Sequence, residues 1–164
     1  PDAEVWGIDV GAPMVRYAHM RAVDQGTAVN FAQRLAEDTG FPDGHFDIVA
    51  SYILHHELPL DISQKVIREA FRVTRPGGVF YPVDFYTGIL NPPNSAWEKF
   101  RWWWTHRWNQ EVWYYDYASL DFPGEMAMAG FLSGEQEATE GVQAVAQSLS
   151  RDSGTPNLVG IKPA

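Results

Sequence analysis

A group of polar side chains follows an apolar run near the middle of the chain. Phe46–Tyr52 (FDIVASY) is short, β-branched and almost continuously apolar, which is typical of a strand buried in a parallel sheet. Ser51, Tyr52, His55 and His56 come where this run stops. Ligands of open α/β sheets bind beyond the carboxyl ends of the strands, so we expect these side chains to face a ligand. An imidazole there could act as a general base near neutral pH.

The simpler interpretation of any single one of these side chains is that it caps the helix that follows. Adjacent residues on a helix point in different directions, so we expect one histidine to face the ligand, and we favour His56 over His55. Asp84 is the next candidate base, because it ends another apolar run. The chain contains no HxxxH or HExxH spacing, so we expect no metal site.

The elements that must position these residues alternate between strand and helix. Glu4–Val10 is predicted to be a strand ending near Asp9, and the helix after it begins at Pro13, where a missing N–H costs nothing. Asp43-Gly44 predicts a turn. The remaining predicted elements are strands at Thr27–Leu35, Gly78–Phe85 and Asn157–Lys162 and helices at Asp61–Thr74 and Leu120–Ala129, the last ending at Gly130; residues 135–151 are left unassigned. This order predicts an α/β fold with a doubly wound, mostly parallel sheet.

Composition narrows the class of protein. The 164 residues suit one domain, 1–164, and their formal net charge of −9 argues against a nucleic-acid partner. No apolar run approaches the roughly 20 residues of a membrane span. The absence of cysteine fits a reducing cytoplasm and excludes thiolate ligands. We therefore expect a cytoplasmic protein.

Residues 91–117 are dense in aromatic rings, including six of the seven tryptophans of the chain, and these rings are interleaved with charge. They could form a lid over an apolar or aromatic small-molecule acceptor. The alternative is that the rings pack the helix onto the sheet or form a homodimer surface. Trp102, Trp103 and Trp104 cannot all face one way on a helix, so some of them must be exposed or meet another chain.

Three stretches, GIDVGAPMVRYA, AEDTGFPDGHFDIVASYILHHELP and VIREAFRVTRPGGVFYPVDF, resemble in order and spacing the class I S-adenosylmethionine-dependent methyltransferases that act on small molecules. The resemblance covers roughly residues 3 to 86. It implies a Rossmann-like sheet, S-adenosylmethionine as cofactor, and methyl transfer to a small, hydrophobic or aromatic acceptor.

The resemblance also implies roles for particular residues. Asp9 matches the acidic residue that accepts both ribose hydroxyls of the cofactor, as a carboxylate can do with a diol. Val10 and Met14 fall where the family packs apolar side chains beside the adenine. Ala36 and Glu37 occupy the loop whose backbone meets the adenine edge. The positions beside the cofactor's methionine moiety match Ser51 and Tyr52.

Two departures from the family pattern matter. Leu35 stands where the family often has an aspartate that accepts the adenine amino group. The chain also lacks the family's first strand, which lies in the middle of the sheet, and the GxGxG-like loop that follows this strand. We therefore expect an incomplete sheet in a C-terminal portion of a longer protein, and poor cofactor binding by this portion alone.

Two other classes of function remain open. A nicotinamide-dependent dehydrogenase also holds a ribose with a carboxylate at the end of the second strand, but no Tyr-x-x-x-Lys pair is present. A non-catalytic binding or dimerisation module with a methyltransferase-like fold is the second alternative. Leu35 and the absent glycine loop favour that module, whereas Asp9 and the middle motifs favour the enzyme.

Overall fold

The computed structural model describes residues 3–84, 93–108, 111–133 and 158–164. The chain forms two compact units, Pro1–Phe41 and Pro42–Ala164, which are considered separately below. The predicted strand ends Phe85 and Asn157, the ends of the aromatic segment at 91–92, and the unassigned residues 135–151 lie outside the described ranges.

The first unit is a strand, a helix and a second strand: β1 (Trp6–Asp9), α1 (Ala12–Gln25) and β2 (Asn30–Gln33). The two strands are parallel, with Asp9 opposite Gln33. Helix α1 follows Gly11 with a proline in its first turn, as predicted, and ends at Gly26 in the left-handed conformation. The predicted elements are confirmed, although both strands are shorter at each end than their apolar runs.

The second unit begins with strand β3, whose bounds are those predicted from the sequence. Its elements are β3 (Phe46–Tyr52), a 3₁₀ turn (His55–Glu57), α2 (Leu60–Val73), β4 (Thr74–Val83), α3 (Ala96–Trp108), α4 (Tyr114–Ser119), α5 (Phe122–Ala129), β5 (Leu132–Ser133) and β6 (Gly160–Ile161). The sheet order is β3-β4-β6-β5. Strands β3 and β4 are parallel, whereas β6 is antiparallel to both of its neighbours. The turn at Asp43-Gly44 is confirmed, with Gly44 at φ 62°.

The core of the second unit lies under helix α2. The buried side chains of that helix, which include Val66, Ile67, Ala70 and Val73, recur every three or four residues and so form one apolar face. That face packs with strand β4 and helices α4 and α5 around Phe80 and Phe122, both only 1% exposed. The apolar periodicity of α2 therefore fixes the position of β4, whose carboxyl end carries Asp84.

Several boundaries in the second unit differ from the predictions, including the last strand, predicted at Asn157–Lys162 and found as β6 at Gly160–Ile161. We expected Arg75–Gly78 to separate α2 from the next strand, but the strand begins at Thr74 and includes those residues. The Thr74 hydroxyl donates to the Ala70 carbonyl at the helix end, and Arg75 Nε lies 2.6 Å from Oδ1 of Asp47, a residue of β3. Helix α5 starts later than predicted because Asp121 caps it, and it ends at Gly130 as expected.

Among the helices that the structure describes, none is long and apolar enough to cross a membrane.

Candidate functional site

An apolar cavity of about 160 Å³ lies at the carboxyl end of β1. It is lined by Gly7, Ile8, Asp9, Met14, Val15, Ala18 and Phe31. Two residues predicted to bind cofactor, Asp9 and Met14, therefore lie at one cavity. Complete ligand pockets typically measure about 300–1,000 Å³, so this cavity suits one portion of a ligand.

Asp9 carries the only charged side chain in this lining. Its Oδ1 atom accepts a hydrogen bond from the Gly11 backbone N–H at 2.6 Å, and the side chain is exposed. This contact fixes the carboxylate against the turn before α1. Because an ionised carboxylate has room for several donors, Asp9 retains acceptor capacity for a ligand.

The other predicted contacts of the first unit lie outside the cavity lining. Val10 is 65% exposed, and Leu35, the departure from the family pattern at the adenine amino group, is 47% exposed. Ala36 and Glu37 form a half-buried bend after β2. Their predicted roles beside the adenine stay predictions.

In the second unit, β3 ends in a strained connection. Ser51 is buried, Tyr52 is 74% exposed, and Ile53 has φ 50°, a left-handed conformation that β-branched residues rarely adopt. The Ile53 N–H donates to the Val83 carbonyl at 2.7 Å, which holds the connection against the end of β4. Such strained positions concentrate at functional sites.

His55 is fully buried and bridges two elements. Its Nε2 atom lies 3.2 Å from Ser51 Oγ on β3, and its Nδ1 atom lies 2.7 Å from Ser63 Oγ on α2. Burial lowers the pKa of His55 to about 4, with the Asp84 charge opposing that effect. A neutral imidazole with both nitrogens engaged is suited to positioning the turn, not to exchanging protons.

His56 is held by Asp84 at the end of β4. Its Nδ1 atom lies 2.8 Å from Asp84 Oδ1, and the two side chains are 4% and 0% exposed. Asp84 Oδ2 also accepts the backbone N–H groups of His55 at 2.9 Å and of His56 at 3.4 Å. Because an ionised carboxylate only accepts hydrogen bonds, a neutral His56 keeps its hydrogen on Nδ1 and presents Nε2 as an acceptor.

The electrostatic surroundings of His56 favour its protonated form. Burial by itself disfavours the charged ring, but the Asp84 hydrogen bond and charge, together with Glu111 and Glu57, raise the pKa of His56 above its ordinary value. The pKa values of these two adjacent histidines are therefore shifted in opposite directions. Of the two, only His56 is poised to carry a proton near neutral pH.

Glu111 completes this group of side chains and was not predicted from the sequence. Its Oε2 atom lies 3.9 Å from His56 Nε2, and Glu57 Oε1 lies 3.6 Å from the same nitrogen. Glu111 Oε2 is buried and has no hydrogen-bond partner among the described residues. These three potential metal-ligand atoms, one each from His56, Glu57 and Glu111, lie within 4.8 Å of one another, near enough to share a cation.

A family model described as a methyltransferase domain matches residues 1–78 of the chain. The ubiquinone/menaquinone biosynthesis C-methyltransferase UbiE of Nitrosospira multiformis is 36% identical over 83 residues, which are 50% of this chain and 33% of that protein. The match thus spans about a third of the length of this curated relative.

Two solved structures share the fold. A SAM-dependent methyltransferase from Aquifex aeolicus aligns with a TM-score of 0.53 at 20% identity, over 80% of this chain and 60% of that one. Phosphoethanolamine N-methyltransferase 2 of Haemonchus contortus, solved with S-adenosyl-L-methionine, aligns with a TM-score of 0.63 at 16% identity, over 98% of this chain and 44% of that one. The predicted α/β, Rossmann-like fold class is confirmed.

Proposed function

We propose that this chain is part of a class I S-adenosylmethionine-dependent methyltransferase and that its protein transfers a methyl group to a small acceptor with a hydroxylated aromatic ring. The hydrogen-bonded pair of His56 and Asp84 is the observation that carries the acceptor chemistry. The name of the Nitrosospira relative, a quinone-biosynthesis C-methyltransferase, favours a quinol-like ring.

The cavity at Asp9 fits one part of the cofactor. Its apolar walls suit an adenine ring, and a carboxylate at its edge suits a ribose diol. Asp9, Met14 and the neighbouring Val10 would hold the adenosine, with Ala36 and Glu37 along the adenine edge. Ser51 and Tyr52 would lie beside the methionine moiety. When bound, S-adenosylmethionine supplies an electrophilic methyl group on a sulfonium.

The role we assign to His56 is that of a general base. The acceptor's hydroxyl proton passes to Nε2, because Nδ1 of the neutral ring carries the hydrogen that is donated to Asp84. The Asp84 carboxylate then stabilises the imidazolium that forms. Removing this proton leaves a phenolate, whose oxygen and ring carbons are both stronger nucleophiles than those of the phenol.

Glu111 gives the acceptor a second anchor. A buried carboxylate oxygen without a hydrogen-bond partner costs about 1–3 kcal/mol or more, and a ligand hydroxyl group could remove that cost. The 3.9 Å between Glu111 Oε2 and His56 Nε2 is too long for a hydrogen bond between them. We therefore expect hydroxyl donors of the acceptor to bind at this pair of atoms.

The direct test is methyl transfer by the full-length protein from labelled S-adenosylmethionine to a panel of phenols and quinols. Matched methyl ethers of the same rings lack the ionisable hydroxyl group and serve as controls. The proposal predicts labelled product from the hydroxylated rings alone. Equal labelling of the ethers would contradict a role for proton removal, and labelling of no compound would contradict the acceptor class.

A further inference from the structure

A buried chain of three side chains connects helix α2 to the end of strand β3. Ser63 Oγ lies 2.7 Å from His55 Nδ1, and His55 Nε2 lies 3.2 Å from Ser51 Oγ. The exposed fractions are 1% for Ser63, 0% for His55 and 8% for Ser51, so water has little access to these groups. Each hydrogen in this chain therefore needs an acceptor on the protein or on a ligand.

One hydrogen of this chain is left over. Burial lowers the pKa of His55 to about 4, so near neutral pH its ring carries a single hydrogen, and each serine hydroxyl carries another. Three hydrogens thus serve two contacts. Among the described residues, neither serine side chain has another hydrogen-bond partner, so the hydrogen of one serine must find its acceptor elsewhere.

The position of the two serines assigns the remaining hydrogen to Ser51. Ser63 lies within α2 and is almost fully buried, so an unsatisfied donor there would keep its whole desolvation cost. Ser51 lies at the carboxyl end of β3, where ligands of such sheets bind, two residues before the strained Ile53. Ser63 therefore donates to Nδ1 of His55, Nε2 donates to Ser51 Oγ, and the Ser51 hydrogen is directed to a ligand.

We propose that Ser63 and His55 are positioning residues that hold the Ser51 hydroxyl group as a hydrogen-bond donor to the α-carboxylate of the cofactor. This inference rests on the proposed function, which puts Ser51 beside the methionine moiety. That moiety offers a carboxylate, which only accepts hydrogen bonds, and an ammonium group, which only donates them. The carboxylate is therefore the group that satisfies the remaining hydrogen of Ser51.

The tautomer of His55 tests the direction of these hydrogen bonds without any cofactor. Long-range NMR correlation of ring protons with ring nitrogens, recorded on the full-length protein at pH 7, distinguishes a hydrogen on Nε2 from one on Nδ1. Signals that disappear in His55→Gln are those of His55. We expect the hydrogen on Nε2. A hydrogen on Nδ1 would reverse both contacts, turn the Ser51 hydrogen toward the ring and overturn the inference.

Ligand analogues test the contact with the carboxylate. Ser51→Ala should bind S-adenosylhomocysteine about tenfold more weakly than wild type, because a hydrogen bond to a charged group is lost. Decarboxylated S-adenosylhomocysteine keeps the ammonium group but lacks the acceptor, so the two proteins should bind it within about twofold of each other. Ser119→Ala, which removes an exposed hydroxyl group of α4, is the matched control and should bind both ligands as wild type does.

The two ligands are compared on the same variant, so a loss of stability in Ser51→Ala affects both measurements alike. Equal weakening of both ligands would assign Ser51 a structural role, and unchanged binding of S-adenosylhomocysteine would exclude its contact with the carboxylate. Either result overturns this inference and leaves the proposed function standing. No binding of S-adenosylhomocysteine by wild type would overturn the proposed function, and this inference with it.

Discussion

The Nδ1 atom of His56 lies 2.8 Å from Oδ1 of Asp84, and this contact joins the turn after β3 to the end of the neighbouring parallel strand β4. Parallel strands bring their carboxyl ends to one edge of a sheet, so residues far apart in sequence meet there. The contact gives His56 a fixed orientation, a defined tautomer and a raised pKa. These are the properties that a positioned general base requires.

Replacing His56 by glutamine should separate binding from chemistry. The amide of His56→Gln can still donate to Asp84 but cannot take a proton, so we expect kcat to fall by about 10²–10⁴ with KM nearly unchanged. Steady-state kinetics with a phenolic acceptor measure this. His45→Gln, at an exposed histidine of the same unit, should retain the wild-type rate. A His56→Gln rate within a few-fold of wild type would remove His56 from the mechanism.

The pH dependence of the rate should report the environment of His56. The neutral base predominates only above its pKa, which lies above the ordinary value of about 6.5, so kcat should rise as pH increases through that raised pKa. Asp84→Asn removes a hydrogen-bonded negative charge and should move the midpoint to lower pH. A midpoint that does not move would show that Asp84 has no positioning role toward His56.

His55 should make the protein less stable in acid. Its pKa of about 4 lies below that of an unfolded histidine, so the unfolded state binds a proton first as pH falls. The neutral ring contributes fully to the free energy of unfolding above about pH 6.5, and this contribution is lost as pH falls towards the folded pKa of about 4. The loss between pH 7 and pH 5 is about 2 kcal/mol. His56, with its raised pKa, acts in the opposite sense: its stabilisation is complete below about pH 6.5 and is lost as pH rises through the raised pKa.

Urea denaturation at pH 7 and pH 5 measures the acid effect. His55→Gln should be less stable than wild type at pH 7 because its contacts with Ser51 and Ser63 are disturbed, but it should lose less stability on acidification. His45→Gln should keep the wild-type difference between the two pH values. An unchanged difference in His55→Gln would mean that His55 is not held neutral.

Removal of divalent cations should leave methyl transfer unchanged. In-line displacement at a sulfonium needs alignment and exclusion of water, and His56 is expected to supply the proton transfer. The assay is the initial rate before and after treatment with EDTA, with added Zn²⁺ as the converse test. A rate that disappears with EDTA and returns with Zn²⁺ would instead assign His56, Glu57 and Glu111 as metal ligands.

The elements that carry the candidate site follow closely from the sequence. Strand β3 has the predicted bounds, and α2 differs by one residue at each end, because a β-branched apolar run and a strong helical periodicity are both local signals. The expectation that ligands bind beyond the carboxyl ends of the strands singled out Asp9, Ser51 and Asp84, because the ends of these apolar runs are also local signals. It also placed both histidines correctly next to the sheet edge.

The opposite pKa shifts of His55 and His56 could not be predicted, because they depend on contacts with elements that are distant in the sequence. Ser63 on α2 engages His55, and Asp84 after β4 engages His56. Glu111 was missed since it follows the aromatic helix in a stretch without a recognisable pattern. A local signal for that helix was available: Ser95 and Glu98 form a reciprocal capping box at its start.

Calorimetric titration of the full-length protein with S-adenosylhomocysteine, compared with Asp9→Ala, tests the central claim most directly. Asp24→Ala, at an exposed carboxylate of α1, is the matched control. We predict that wild type and Asp24→Ala bind equally and that Asp9→Ala loses more than about 1.5 kcal/mol, or roughly tenfold in affinity, since a charge-assisted hydrogen bond is lost. Equal binding by Asp9→Ala, or no binding by the wild-type protein, would contradict the assignment of the Asp9 cavity to the cofactor.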